Sequence, residues 1–137
     1  MKPCVLDASA IAAAVFQEPG ADKVQALLKS GRALHAPGLI HAEVAKVIWK
    51  RFRRGEIDQD EAGEVLKEFL RLPLEVTPSV ELVEPSLQLA LTTGQTVYDC
   101  LYLALAIRMG SKLLTADKKL ANALAGTPME RHVDLIA

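Results

Sequence analysis

Cysteine is scarce in this chain, and the two that occur, Cys4 and Cys100, stand far apart with no CxxC pair. That spacing argues against a zinc site and against a disulfide framework, and a reduced compartment is the expected setting. Aromatics make up only 4% of residues although hydrophobic residues reach 50%, so the core has to be built from Ala, Leu, Val and Ile. An aliphatic core of that kind suits helices packed on a sheet. Charge of one sign is missing too: 16 Lys and Arg face 17 Asp and Glu, a formal net charge of -1. Without a global basic field, any attraction for nucleic acid has to be local.

Long apolar runs are also lacking. The stretch from Cys4 to Phe16 follows Lys2 in the manner of a signal peptide, but Asp7 interrupts it where an apolar segment needs continuity. No later stretch reaches the ~20 residues that span a bilayer. A cytoplasmic protein with no membrane association is expected. Repeats and low-complexity linkers are absent, and Pro and Gly fall singly between periodic segments. At 137 residues the chain is expected to be one domain, 1–137.

Periodicity predicts a strand at Cys4 to Leu6, a helix from Ala8 to Gln17 closed by Pro19-Gly20, and a helix from Ala21 to Ser30. A strand near Ala33 to Ala36 follows, then helices from Leu39 to Arg54 and from Asp58 to Arg71, and a strand at Leu74 to Val76. Val80 to Thr93 reads as helical, with Pro85 demanding a kink or a late start. Tyr98 to Met109 is apolar on almost every side, which marks a buried helix. Lys112 to Thr115 reads as a strand, Lys118 to Leu124 as a short helix, and His132 to Ile136 as a last strand. Strands alternating with helices predict an α/β fold: a central, mostly parallel sheet of about five strands with helices on both faces.

Ligands of such sheets bind beyond the carboxyl ends of the strands. Asp7 closes the first strand and Asp117 follows Thr115, so both belong to that edge. Asp99 opens the buried helix and is its only charge before Arg108. Glu43 lies on its helix between an apolar stripe (Ile40, Val44, Val47, Ile48) and a basic one (Lys46, Lys50, Arg53, Arg54). Each acid also has a plain structural reading. Asp7 and Asp117 are placed to cap helices, Thr96 and Asp99 match a capping box, and Glu43 is placed to pair with Lys46. Taken together, four carboxylates in one cleft repel by roughly 3 kcal/mol per pair at about 6 Å and an effective dielectric near 20. Such a cluster persists only if protons or a cation neutralise it, and carboxylate oxygens favour Mg²⁺ or Mn²⁺ over zinc.

The segments Val5-Leu6-Asp7-Ala8-Ser9, Val97-Tyr98-Asp99-Cys100-Leu101-Tyr102-Leu103-Ala104 and Leu114-Thr115-Ala116-Asp117, with a helix-borne Glu between the first two, resemble the PIN-domain pattern in order along the whole chain. The absence of an appended domain resembles the free-standing toxins of the VapC type. The resemblance implies a carboxylate pocket holding one or two Mg²⁺ or Mn²⁺ ions and hydrolysis of RNA phosphodiesters to a 5′-phosphate and a 3′-hydroxyl. It also implies a cognate antitoxin that blocks the pocket. By residue-wise carry-over Asp7, Glu43, Asp99 and Asp117 form the acidic set, with Ser9 and Thr115 as hydroxyl support. Glu43 is open between direct ligation, ligation through water and orientation of the nucleophile. Lys46 departs from the pattern, since relatives often carry a small polar residue there. A homodimer is also expected.

Two other readings compete. A phosphoacceptor signalling domain also sets acids at strand ends, but it wants an adjacent acidic pair and a strand-end Lys, and neither occurs. A PIN-fold RNA-processing or binding module without a toxin role is the other. His35, His41 and His132 share no ligand spacing and read as surface or packing residues. Cys4 and Cys100 read as small buried apolar residues. Trp49 lies off the apolar stripe of its helix, to be packed on Val65, Leu66 or Phe69 or to serve an interface.

Overall fold

The computed structural model describes residues 2–137. Its strands β1 (Cys4–Leu6), β2 (Leu34–Pro37), β3 (Leu74–Thr77), β4 (Leu113–Thr115) and β5 (Val133–Leu135) form one sheet in the order β3-β2-β1-β4-β5. Every pairing is parallel, and Val5 at the centre is in register with His35 on one side and Leu113 on the other. The expected α/β fold is therefore the observed one. Parallel neighbours need crossover connections, and seven helices supply them: α1 (Ala8–Val15), α2 (Ala21–Lys29), α3 (Ile40–Arg53), α4 (Gln59–Leu70), α5 (Val83–Thr93), α6 (Val97–Arg108) and α7 (Lys118–Leu124). Helix α1 packs on α2, α3, α4 and β4, while α6 packs on α5 and on β1, β2 and β4.

The aliphatic composition dictates how the centre is filled. Val5, Leu6, Leu113 and Leu114 of the inner strands are buried, and α6 is buried continuously from Cys100 to Ala106. A helix apolar all round has no solvent face to offer, so it occupies the middle of the molecule. Pro85 produces a late start rather than a kink: a 3-10 turn over Ser79–Leu82 precedes α5, and Pro85 falls in the first helical turn, where a missing N–H breaks no helical bond. Helix α1 stops at Val15 instead of Gln17 because Gln17 turns to a left-handed φ of 55°. Gly20 then enters α2 at φ 99°, with Ile136 so close that a Cβ would meet it at 2.9 Å.

The strand order fixes where a ligand site can form. The chain leaves β1 toward β2 and β3, then returns to the other side of β1 with β4 and β5, so the crossovers diverge between β1 and β4. Beyond the carboxyl ends of these two strands lies the crevice characteristic of open parallel sheets. Asp7 directly follows β1, and Ala116 and Asp117 directly follow β4.

Candidate active site

Asp7 caps α1: its Oδ1 accepts the Ala10 N–H at 3.0 Å and the Ser9 hydroxyl at 2.6 Å. Asp117 caps α7 in the same way, with Oδ1 accepting the Leu120 N–H at 3.1 Å. The capping reading of both acids is thus correct, yet each engages the backbone through one oxygen only. Between them, Ser9 Oγ accepts the Ala116 N–H at 2.9 Å and lies 3.1 Å from Thr115 Oγ1, which in turn accepts the Asp117 N–H at 3.0 Å. This chain of bonds ties the end of β1 to the end of β4.

Asp99 sits in the first turn of α6 and is half-buried. Thr96 Oγ1 accepts the Asp99 N–H at 3.1 Å, but among the described residues no reciprocal bond runs from the Asp99 carboxylate to the Thr96 N–H. Asp58 and Glu61 at the start of α4 make both halves of that motif. The capping box expected at Thr96 is consequently half a box. Glu43 does not pair with Lys46; its Oε1 accepts the Tyr102 hydroxyl at 2.6 Å, from α6 to α3.

The electrostatics show that the four acids share one neighbourhood. Burial pushes Asp7 up to about 6 against hydrogen bonds from Ser9, Thr115 and Ala10 that hold it down, with the Asp99 charge adding a rise. Asp99 is raised first by burial, opposed by Thr96, and further by the charges of Asp117 and Glu43. Asp99 is therefore within electrostatic reach of all three others. Among the described residues none of the four is in an ion pair, although Glu18, Glu56, Glu64, Glu75, Glu81 and Asp134 all are.

No three His, Cys, Asp or Glu side chains among the described residues already close up as a cage for a metal ion. Three of the four acids turn an oxygen away, Asp7 and Asp117 to helix N-termini and Glu43 to Tyr102. The donor set itself still fits a hard divalent cation, being all oxygen, uncompensated by Lys or Arg and flanked by two hydroxyls. Cys100, the nearest sulfur in sequence, is buried against Thr93.

The PIN domain family profile matches residues 4–124. The chain belongs to the PIN-domain family. Among curated relatives, "Ribonuclease VapC3" of Pyrobaculum aerophilum is 40% identical over 119 residues, which cover 85% of this chain and 91% of that one. "Ribonuclease VapC1" of Mycobacterium tuberculosis is 35% identical over 133 residues, 95% of this chain and 96% of its own. Of solved structures, PAE2754 from Pyrobaculum aerophilum superposes with a TM-score of 0.71 at 25% identity, over 98% of this chain and 84% of that one. VapBC2 from Rickettsia felis, solved bound to a DNA fragment from its promoter, matches at a TM-score of 0.65 and 15% identity over 96% and 97%, a likeness of fold.

Within this PIN domain, Tyr102 is a site residue whose role the sequence pattern alone does not assign. Its signal was present: three residues after Asp99 it lies on the same side of α6, and a fully buried Tyr needs a partner for its hydroxyl. Burial and the Glu43 carboxylate both raise its pKa, so it stays a proton donor to Glu43. The basic residues Lys46, Lys50, Arg53 and Arg54 are exposed along α3. Trp49 is 54% exposed and lines a groove between α3 and α4 with Phe52 and Leu66. A groove of ≈ 590 Å³ between α5, α6 and α7 has no charged side chain in its walls and is separate from the acids. No helix among the described residues is long and apolar enough to cross a membrane.

Proposed function

We propose that this PIN domain is a divalent-metal-dependent endoribonuclease and the toxin of a toxin–antitoxin pair. The observation that carries the reading is Asp99, coupled to Asp7, Glu43 and Asp117 at the sheet's switch point with no cation paired to any of them. The relatives named as VapC ribonucleases support the substrate class. Asp7, Asp99 and Asp117 are the residues that would hold Mg²⁺ or Mn²⁺, with Glu43 beside them. Such an ion supplies Lewis-acid stabilisation of the charge that builds on the attacked phosphate.

The chain's own residues do the rest. Ser9 and Thr115 hold Asp7 and the Asp117 backbone in place from both strand ends. Tyr102 fixes one Glu43 oxygen, leaving the other to orient the attacking water and take up its proton. Lys46, Lys50 and Arg54 follow Glu43 along one side of α3, where they offer the RNA backbone a local cationic track despite the neutral whole. A cognate antitoxin would present Arg or Lys to the acids, neutralising in complex what the metal neutralises in the active enzyme. A cytoplasmic homodimer completes the reading.

The deciding experiment is cleavage of RNA by the purified chain. Cleavage should need Mg²⁺ or Mn²⁺, stop with chelator, and leave 5′-phosphate and 3′-hydroxyl ends. A folded Asp99→Asn protein that cleaves at full rate would overturn the assignment.

A further inference from the structure

The opposite edge of the same sheet carries the opposite charge. Lys2 precedes β1, Arg32 precedes β2, Lys112 precedes β4 and Arg131-His132 precede β5. Because β2, β1, β4 and β5 are adjacent and parallel, their amino ends lie together, and these residues line one cleft of ≈ 530 Å³. The acid site lies at the carboxyl ends, about 10 Å further along β1 at 3.3 Å per residue. The cleft is thus a separate place, not an extension of the acidic crevice.

Its charges are uncompensated. Among the described residues, Lys2, Arg32, Lys112 and Arg131 form no ion pair. The one acid in the walls, Asp134, is engaged from outside by Lys23, whose Nζ donates to its two oxygens at 2.9 and 3.0 Å. Arg32 lies beside the buried Cys4, and its Nε is buried without any hydrogen-bond partner. A buried donor of that kind is uncommon in folded proteins, and it fixes the Arg32 side chain at the cleft wall. The frame around it is fixed: the Ser111 hydroxyl donates to the Pro3 carbonyl, joining the segment before β4 to the start of β1. The His132 ring joins the same frame: Arg131 Nε–H donates to its Nε2 at 3.3 Å, and its Nδ1 lies 3.2 Å from the Ser111 carbonyl oxygen.

We propose that this amino-edge cleft is a binding site for the phosphate group of a nucleotide. A carboxylate is satisfied by one guanidinium fork, whereas four separate cations around one cleft match the several oxygens and higher charge of a phosphate. The volume lies in the range of small-ligand sites, enough for one nucleotide unit. The phosphate comes either from a free nucleoside monophosphate or from an RNA chain, and the two sources share this chemistry. The inference goes beyond the nuclease reading and does not depend on it.

The test is binding in chelator, where metal-dependent cleavage is silent. Adenosine 5′-monophosphate and a short single-stranded RNA are titrated separately into the ¹⁵N-labelled protein, with chloride at matched ionic strength as control. At least one of the two should shift the Ser111, Lys112 and His132 amides and the Arg32 Nε–H resonance. Lys112→Ala with Arg131→Ala, both at exposed positions, should weaken that binding about tenfold or more and leave metal-dependent cleavage of a dinucleotide unchanged. Arg32→Lys keeps the charge but loses the planar guanidinium fork, and should weaken binding too. If the RNA is the ligand, each Lys removed should lower the salt slope of binding by about one; if the mononucleotide is, RNA should bind no tighter than it does. Failure of both probes to shift these resonances, or equal binding by wild type and the double variant, overturns the proposal.

Discussion

Tyr102 Oη lies 2.6 Å from Glu43 Oε1, a hydrogen bond that joins the buried helix α6 to the only acid of the set carried on α3. Removing the hydroxyl by Tyr102→Phe keeps the ring and the core volume but frees Glu43 to swing. Outer-shell partners of ligating carboxylates are worth roughly 10–100-fold in activity or metal affinity. RNA cleavage should therefore fall by that order while the melting temperature changes little. Steady-state kinetics together with thermal melting check the split, and equal losses in activity and stability would point to a packing role alone.

Ser9 is the hub between the two strand ends, and Ser9→Ala strips Asp7 of its 2.6 Å donor and leaves the Ala116 N–H without its acceptor. An orphaned buried group costs about 1–3 kcal/mol. The expected result is a lower denaturant midpoint by that order, and also a higher Asp7 pKa, because a hydrogen bond that lowers it has gone. Thr115→Val, which removes the next hydroxyl in the chain, should act in the same direction.

How much of this could be read beforehand follows from what each residue's position depends on. Asp7 and Asp117 were legible because a short apolar strand followed by an acid places the acid at a sheet edge whatever the rest of the fold does. The order of the sheet was legible only as far as "parallel", since alternation of strands and helices does not say on which side of β1 the chain returns. The direction of Glu43 depends on Tyr102, which the apolar pattern of α6 disguises as core. The cationic cleft was invisible, since Lys2, Arg32, Lys112 and Arg131 are scattered along the chain and meet only because each stands just before a parallel strand. Pro85 left two options, and the length of the 3-10 turn before α5 decided between them.

The raised carboxylates make stability depend on pH with a definite sign. Asp7 has a folded-state pKa of about 6 against 3.8 for the free group, and Asp99 is raised as well. Between those two values the folded chain binds more protons than the unfolded one, so stability is lost as pH rises through the window. In chelator, melting should drop from pH 4.5 to pH 7 more steeply in wild type than in Asp7→Asn, which cannot titrate there. Millimolar Mg²⁺ or Mn²⁺ should recover stability at neutral pH and do so less at pH 5, where protons compete for the same oxygens. An identical pH slope in wild type and Asp7→Asn would show that burial does not raise this carboxyl.

Asparagine substitutions separate capping from catalysis at each acid. Asn caps a helix about as well as Asp, so Asp7→Asn and Asp117→Asn should retain the bonds to Ala10 and Leu120 and fold normally. If these residues served only as caps, cleavage would be nearly untouched. If they hold the ion, loss of one charge removes most of the activity and most of the metal-induced rise in melting temperature. Asp99→Asn is the sharpest member of the series, because its carboxylate makes no reciprocal cap and has the other three acids as neighbours. Residues acting as one unit are not additive, so Asp7→Asn with Asp99→Asn should be little slower than the worse of the two single variants. Multiplying losses in the double variant would mean that the two acids act independently, and the shared site would have to be divided between them.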